Sequence, residues 1–345
     1  MLIARSPVRI SLAGGGTDLP AYYARHGGIV ISAAIDKYFY VIVNVASGRN
    51  IQITSSDYHT FYRHGGKDSF LWEGDLSLPL AILHEFDFSS GISLFLASEV
   101  PPGTGLGSSS AVAVAIVKAL AMLREQDMSK QEVAEMACRI EIEKLGMPIG
   151  KQDQYASAFG GLNTFSFCRD GTVVREPLGL EPETIQNLER RLMLFFTGSA
   201  HNSASILQNQ RAKSEDDNSV VVASLHRIKS MAEEAKRLLI TGALDEFGWL
   251  LHETWQRKRQ LAEGVSNPNI DHWYELARAS GAIGGKITGA GGGGFLMVYC
   301  PLERQEAVAT ALEGEGLRRM DFQFEFGGAR ILLHSAQGVP LAFRR

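Results

Sequence analysis

One stretch constrains the fold of this chain more than any other: Pro101-Pro102-Gly103-Thr104-Gly105-Leu106-Gly107-Ser108-Ser109-Ser110, followed at once by Ala111-Val112-Ala113-Val114-Ala115-Ile116-Val117. Glycines at three alternate positions let the backbone turn tightly with no Cβ in the way, so several consecutive N–H groups can converge on one anion. The small-residue run after Ser110 reads as a helix, and the apolar residues 92–97 ahead of the loop read as the strand leading into it. A glycine turn that opens a helix is a phosphate cradle, because the first helical turn carries unpaired N–H donors and the positive end of the dipole. Ser108, Ser109 and Ser110 add hydroxyls that can cap the helix or meet a phosphate or a metal ion. The competing reading is a flexible loop ahead of a core helix.

A second glycine-rich run, Gly284-Gly285-Lys286-Ile287-Thr288-Gly289-Ala290-Gly291-Gly292-Gly293-Gly294, enters the strand-like residues 295–299. Such a loop can lie flat against another backbone or a phosphate, or it can be a mere flexible hairpin. Near the start of the chain, strand-like residues 8–12 carry Arg9 and run into Ala13-Gly14-Gly15-Gly16-Thr17-Asp18-Leu19-Pro20. That order sets Asp18 at a sheet edge beside open space, where a carboxylate can grip hydroxyls; Asp18 can equally cap a helix starting at Pro20. Residues 28–45 read as β, and Ser47-Gly48-Arg49-Asn50 as a turn into residues 51–54, a hairpin by composition. Ser129-Lys130-Gln131-Glu132 is a capping box, and Val133, Met136, Ala137 and Ile140 form the core stripe of the helix it opens. Glu141 and Glu143 fall near the end of that helix, where the dipole disfavours acids and invites a cation; two solvated acids are the plainer reading. Gly146-Met147-Pro148-Ile149-Gly150 stops the helix, and Asp153 follows, where a helix-starting role is the simple alternative to a chemical one. Residues 322–326 and 331–333 read as closing strands.

With 345 residues the chain has room for two domains. A change to helix-rich, charged sequence over residues 203–264 puts the boundary near residue 190, giving units of 1–190 and 191–345. The 34 basic against 38 acidic residues leave a net charge of −4, so nothing general draws the chain to nucleic acid or an anionic membrane. An anionic substrate therefore needs a local basic pocket. No apolar run is long enough to span a bilayer. Cys138, Cys168 and Cys300 are scattered, which favours reduced thiols and a cytoplasmic setting over disulfides or a zinc site. Two phosphate-type glycine loops without a G-x-x-x-x-G-K-[ST] or a dinucleotide fingerprint argue for a nucleotide enzyme outside the P-loop and dehydrogenase classes.

In the regions Pro7 to Asp18, Pro101 to Ala111 and Lys286 to Gly294, the chain resembles the GHMP kinase superfamily, named for galactokinase, homoserine kinase, mevalonate kinase and phosphomevalonate kinase. The passages from Ala13 to Pro20 and from Pro148 to Tyr155 look most like the bacterial D-glycero-D-manno-heptose 7-phosphate kinases, with the fucokinases as the alternative. The resemblance implies an α+β fold of two domains, an N-terminal mixed α/β nucleotide-binding domain and a C-terminal ferredoxin-like one. It implies an ATP- and Mg²⁺-dependent sugar 1-kinase, monomeric or homodimeric, whose partner is a small sugar phosphate.

By the same resemblance, Pro102, Gly103, Gly105, Leu106, Gly107, Ser108, Ser109 and Ser110 would wrap the nucleotide phosphates, with Ser109 or Ser108 and Glu141 on the metal. Asp153 would be catalytic, paired with Arg9, since a cation beside a carboxylate favours its charged form. Gly15, Gly16, Thr17, Asp18, Lys151, Gln152, Gly289, Gly291 and Gly292 would surround the substrate. His201 stands where the heptose kinases lead one to expect arginine; on chemistry alone, and not by the resemblance, Lys151, Arg25 and His201 are candidates for the substrate's own phosphate. The sugar-type turn at Gly15-Gly16-Thr17-Asp18 argues against a decarboxylase of the same fold, and Arg9, Glu141 and Asp153 together argue against a binding module without activity.

Overall fold

The computed structural model describes residues 1–45, 50–56, 60–64, 74, 76–88, 91–198, 206–209, 212, 220–259 and 261–335. Its first half runs β1 (Leu2–Ala13), α1 (Pro20–His26), β2 (Gly28–Val45), β3 (Ile51–Ser55), β4 (Thr60–His64), α2 (Ser77–Glu85), β5 (Ile92–Ser98), α3 (Ser108–Leu123), α4 (Lys130–Cys138), α5 (Gln152–Phe159), β6 (Leu162–Phe167) and β7 (Val173–Pro177). The second half runs α6 (Pro182–Arg191), β8 (Leu192–Phe196), α7 (Val220–Ile240), α8 (Leu244–Lys258), α9 (Pro268–Ser280), β9 (Gly284–Ile287), β10 (Phe295–Tyr299), α10 (Gln305–Gly314), β11 (Arg318–Met320) and β12 (Arg330–His334).

The strands form an eight-stranded sheet, with the path β12-β1-β2-β5-β3-β4 and β6-β7 branching from β2, and a four-stranded sheet ordered β11-β8-β10-β9. β2 is long enough to serve two partners on one side: Gly28 to Ala33 pair with β6 and Phe39 to Val45 with β5, while β1 runs along the other side. α3 lies across β1 and β2 with α4 and α5 beside it. Its Ala and Val residues are buried nearly all round, as a helix enclosed between a sheet and other helices requires. The small sheet is wholly antiparallel and packs on α8, α9 and α10, with Trp255 and Tyr274 in its core.

The capping box forms as read, with Ser129 accepting from the Glu132 backbone and the Glu132 side chain reaching back. Three strand expectations are corrected. β3 does not make a hairpin with β2: it pairs parallel with β5 and antiparallel with β4, because α2 carries the chain over and inserts β5 between them. Residues 47–49, the expected turn, lie outside the described residues. Gly284 to Ile287, read as loop, are strand β9, since a glycine strand can lie close under α8: a Cβ on Gly284 would meet the Gly248 carbonyl oxygen at 2.0 Å. Residues 322–326 make no strand, only a single bridge from Phe324 to Ile35, whereas β12 returns to pair with β1 in the large sheet.

The two sheets meet where the β9–β10 loop lies on the loop before α3. Thr288 Oγ1 donates to the Thr104 carbonyl at 3.1 Å, and Thr197 donates to the Gly294 carbonyl beside it. A Cβ on Gly105 would meet the Thr288 carbonyl oxygen at 2.6 Å, and one on Gly289 would meet Gly105 Cα at 2.5 Å. The two glycine runs are thus pressed together, backbone on backbone, and hold each other's shape.

Candidate active site

The loop before α3 takes the form its glycines permit: Gly103, Gly105 and Gly107 have φ of 72°, 77° and 75°. Gly107, not a serine, is the N-cap of α3, and no side chain caps the helix. The serine hydroxyls therefore serve other partners. Ser109 and Ser110 donate to Glu141 Oε1 at 3.1 and 3.3 Å, and Gln154 donates to Oε2 at 2.6 Å. Glu141 lies in a π-helical turn, Arg139–Lys144, that continues α4, a distortion frequent at functional sites. It is fully buried, and burial pushes its carboxyl up to about 7 against the opposing pull of those hydrogen bonds. Glu143 is exposed, so the solvated reading holds for it and fails for Glu141.

Asp153 begins α5 but does not cap it. Arg9, reaching across from β1, grips its carboxylate with two bonds, Nε to Oδ1 at 2.8 Å and Nη2 to Oδ2 at 2.7 Å. The third nitrogen of Arg9 donates to the Gly105 carbonyl at 2.6 Å, and its backbone N–H to Leu106 O at 3.0 Å. One arginine thus ties the Asp153 carboxylate and the glycine loop into a single unit, and the fork geometry of guanidinium fixes the carboxylate's orientation. A Cβ on Gly107 would stand 3.0 Å from Asp153 Oδ2, so the loop passes directly over this carboxylate.

Asp18 does not cap α1 either, whose N-cap is Leu19. Its carboxylate accepts from the N–H of Gly16 at 3.1 Å and of Gln152 at 3.3 Å. Burial raises its pKa, and the charge of Asp153 adds to this. Gly150 allows the approach: a Cβ there would lie 1.9 Å from Asp18 Oδ2.

These groups line one cavity of about 590 Å³. Of the residues expected from the sequence, it gathers Arg9, Gly15, Gly16, Asp18, Pro102, Gly103, Gly105, Gly107, Ser108, Ser109, Ser110, Gln152, Asp153 and Gly289. Glu141 sits behind Ser109 and Ser110. The others take supporting roles. Thr17 is fully buried and bonds Gly14 O and Ile29 O, and Leu106 is core. Lys151 turns away to Gly171 O at 2.7 Å, and Arg25 donates to Ala21 O within its own helix. Gly291 packs on Val265, and the Gly292 N–H donates to Val265 O. His201 lies outside the described residues.

Lys258 and Lys286 were missed, because a lysine read from sequence counts as solvated. Here both line the cavity and are nearly fully buried, at 9% and 3% exposure. Lys258 Nζ donates to the carbonyls of Ile287, at 3.2 Å, and Gly289, and Lys286 Nζ to Leu12 O at 3.2 Å. Burial lowers Lys258 to about 8 and Lys286 well below the usual lysine range, and the charge of Arg9 contributes to both. The position of Lys286 inside the second glycine run was the available signal.

Among the described residues no three acidic, histidine or cysteine side chains gather into a metal cage. The Ser109 hydroxyl with the buried Glu141 carboxylate behind it nevertheless fits Mg²⁺, which binds oxygen and draws most of its ligands from phosphate and water. A helix N-terminus without a side-chain cap, a carboxylate clamped by arginine, a second buried carboxylate and two buried lysines surround one cavity, a set that suits a phosphotransferase acting on an alcohol.

The comparisons agree. The GHMP kinases N terminal domain family matches residues 77–161, and the GHMP kinases C terminal family residues 231–317. The chain is 31% identical over 331 residues to the D-glycero-alpha-D-manno-heptose 7-phosphate kinase of Campylobacter jejuni, covering 94% of this chain and 97% of that one. It is 29% identical to the mevalonate kinase of Pyrococcus abyssi over 96% and 98% of the two chains. The crystal structure of a D-glycero-D-manno-heptose 1-phosphate kinase from Bacteroides thetaiotaomicron superposes with a TM-score of 0.81 at 27% identity, over 97% of this chain and all of the other. The chain belongs to the GHMP kinase family, with its two-domain fold of mixed α and β structure.

Proposed function

We propose that the protein transfers the terminal phosphoryl group of Mg·ATP to the anomeric hydroxyl of D-glycero-D-manno-heptose 7-phosphate, giving the 1,7-bisphosphate for nucleotide-activated heptose. The observation that carries the reading is Asp153, a carboxylate fixed by Arg9 directly beneath the glycine loop. The similarity to the Campylobacter kinase supports the sugar. A smaller, largely apolar cavity of about 240 Å³ shares Pro102, Ser108 and Ser109 with the main one and is walled by Phe39, Leu78, Leu96 and Val100, which suits a nucleobase beside its phosphates.

Phosphoryl transfer has a loose transition state, so catalysis is mostly positioning and charge neutralisation. The N–H groups from Gly105 to Ser110 hold the triphosphate. Asp18 and the N–H groups around it orient the sugar hydroxyls. Asp153 accepts the proton of the attacking hydroxyl, and Arg9 keeps it aimed. Ser109 and Glu141 would hold Mg²⁺, whose charge would offset that of the phosphates.

Incubation with Mg·ATP and a panel of heptose 7-phosphate, fucose, galactose and mevalonate, followed by location of the new phosphate by NMR, tests the reading. The expected product is phosphorylated at C1 of the heptose phosphate. Preferential phosphorylation of mevalonate or of a neutral hexose would overturn it.

A further inference from the structure

Among the described residues three cations and two carboxylates line the main cavity, but they do not pair off. Arg9 is committed to Asp153 by two hydrogen bonds, which leaves Lys258 and Lys286 against Asp18 alone. Among the described residues neither lysine has a carboxylate within ion-pair distance; both donate only to backbone carbonyls. Two buried ammonium groups on carbonyls are costly unless an anion joins them. Ser11 is on β1, one residue before the Leu12 carbonyl that Lys286 holds. Ser11 lines the same cavity, and its Oγ is buried with no hydrogen-bond partner among the described residues.

On the sugar-kinase reading above, these groups fall on the acceptor's side of the cavity. Lys286 is fastened to the end of β1 just ahead of the Gly15-Gly16 turn, and Lys258 feels the charge of Asp18. In that reading the α3 N-terminus takes the nucleotide. Resting on the sugar-phosphate reading above, we infer that Lys258, Lys286 and Ser11 form a second anion receptor, which takes the phosphate the acceptor already carries and makes the enzyme select phosphorylated sugars. Lys151, Arg25 and His201 are not needed for that contact. The lowered lysine pKa values fit an anion site waiting for its ligand, since a phosphate between the two groups would restore their charge.

The test uses inorganic phosphate as the probe, on protein saturated with a non-hydrolysable ATP analogue and Mg²⁺ so that the glycine loop is filled. Calorimetry should show phosphate binding to the wild type that weakens at least about tenfold in Lys258→Met and in Lys286→Met, with binding of the ATP analogue changed less than about twofold. In kinetics, Lys258→Met should raise KM for the phosphorylated sugar, leave KM for ATP, and erase the preference over the unphosphorylated sugar. Ser11→Ala, a small change that leaves the lysines in place, should weaken phosphate binding in the same direction. Undiminished phosphate binding in correctly folded lysine variants would overturn the inference, as would an equal loss of ATP-analogue affinity. The binding measurement needs no turnover, so a wrong sugar in the functional reading would show in the NMR panel and not here.

Discussion

At the scale of single residues, the site is a set of carboxylates given different tasks by their surroundings. Asp153 is part-exposed and clamped by a guanidinium, while Glu141 is sealed among hydroxyl and amide donors. Asp153→Asn removes the proposed proton acceptor and keeps the shape, so kcat should fall at least about a hundredfold with KM for ATP little changed, read from steady-state kinetics. For Glu141, burial favours the protonated acid. Its contribution to stability is full below the ordinary glutamate range and is lost as pH rises through about 7. Glu141→Gln, neutral at every pH, should therefore stabilise the metal-free protein at pH 8, by up to about 3 kcal/mol, and by almost nothing near pH 4.5. Denaturant unfolding at the two pH values measures this. A variant equally stable with wild type at both would mean that Glu141 does not carry this cost.

At the scale of elements, the loop before α3 and the β9–β10 loop act as one piece. Gly105→Ala places a Cβ at positive φ and 2.6 Å from the Thr288 carbonyl oxygen. It should lower stability by about 1–3 kcal/mol and raise KM for ATP severalfold, whereas Gly179→Ala, with nothing near its Cβ, should leave KM for ATP alone. Thermal unfolding and kinetics on both variants check this. These elements were also the most legible part of the sequence, because a backbone that must turn through positive φ leaves glycines behind as a visible trace. Arg9 and Asp153 were not visible as a pair from spacing, being 144 residues apart; only the family likeness joined them. The position of β3 was hidden because neighbours in a sheet are set by a helical crossover and not by adjacency in the chain. Lys258 gave no sign at all, since its burial comes from packing α8 against β9, a contact that composition does not express.

At the scale of the whole molecule, the large sheet supplies Arg9, Asp18 and, through α3 and α5, the phosphate loop and Asp153. The small sheet and its helices supply Lys258, Lys286 and the loop pressed on Gly105. The cavity lies between them and is lined from both. A crystal structure with a non-hydrolysable ATP analogue, Mg²⁺ and heptose 7-phosphate decides whether this assembly is a sugar kinase site. The triphosphate should lie against Gly105 and Ser109, with the C1 hydroxyl of the sugar within hydrogen-bond reach of Asp153. A triphosphate bound away from that loop, or a sugar whose C1 hydroxyl faces away from Asp153, would contradict the assignment.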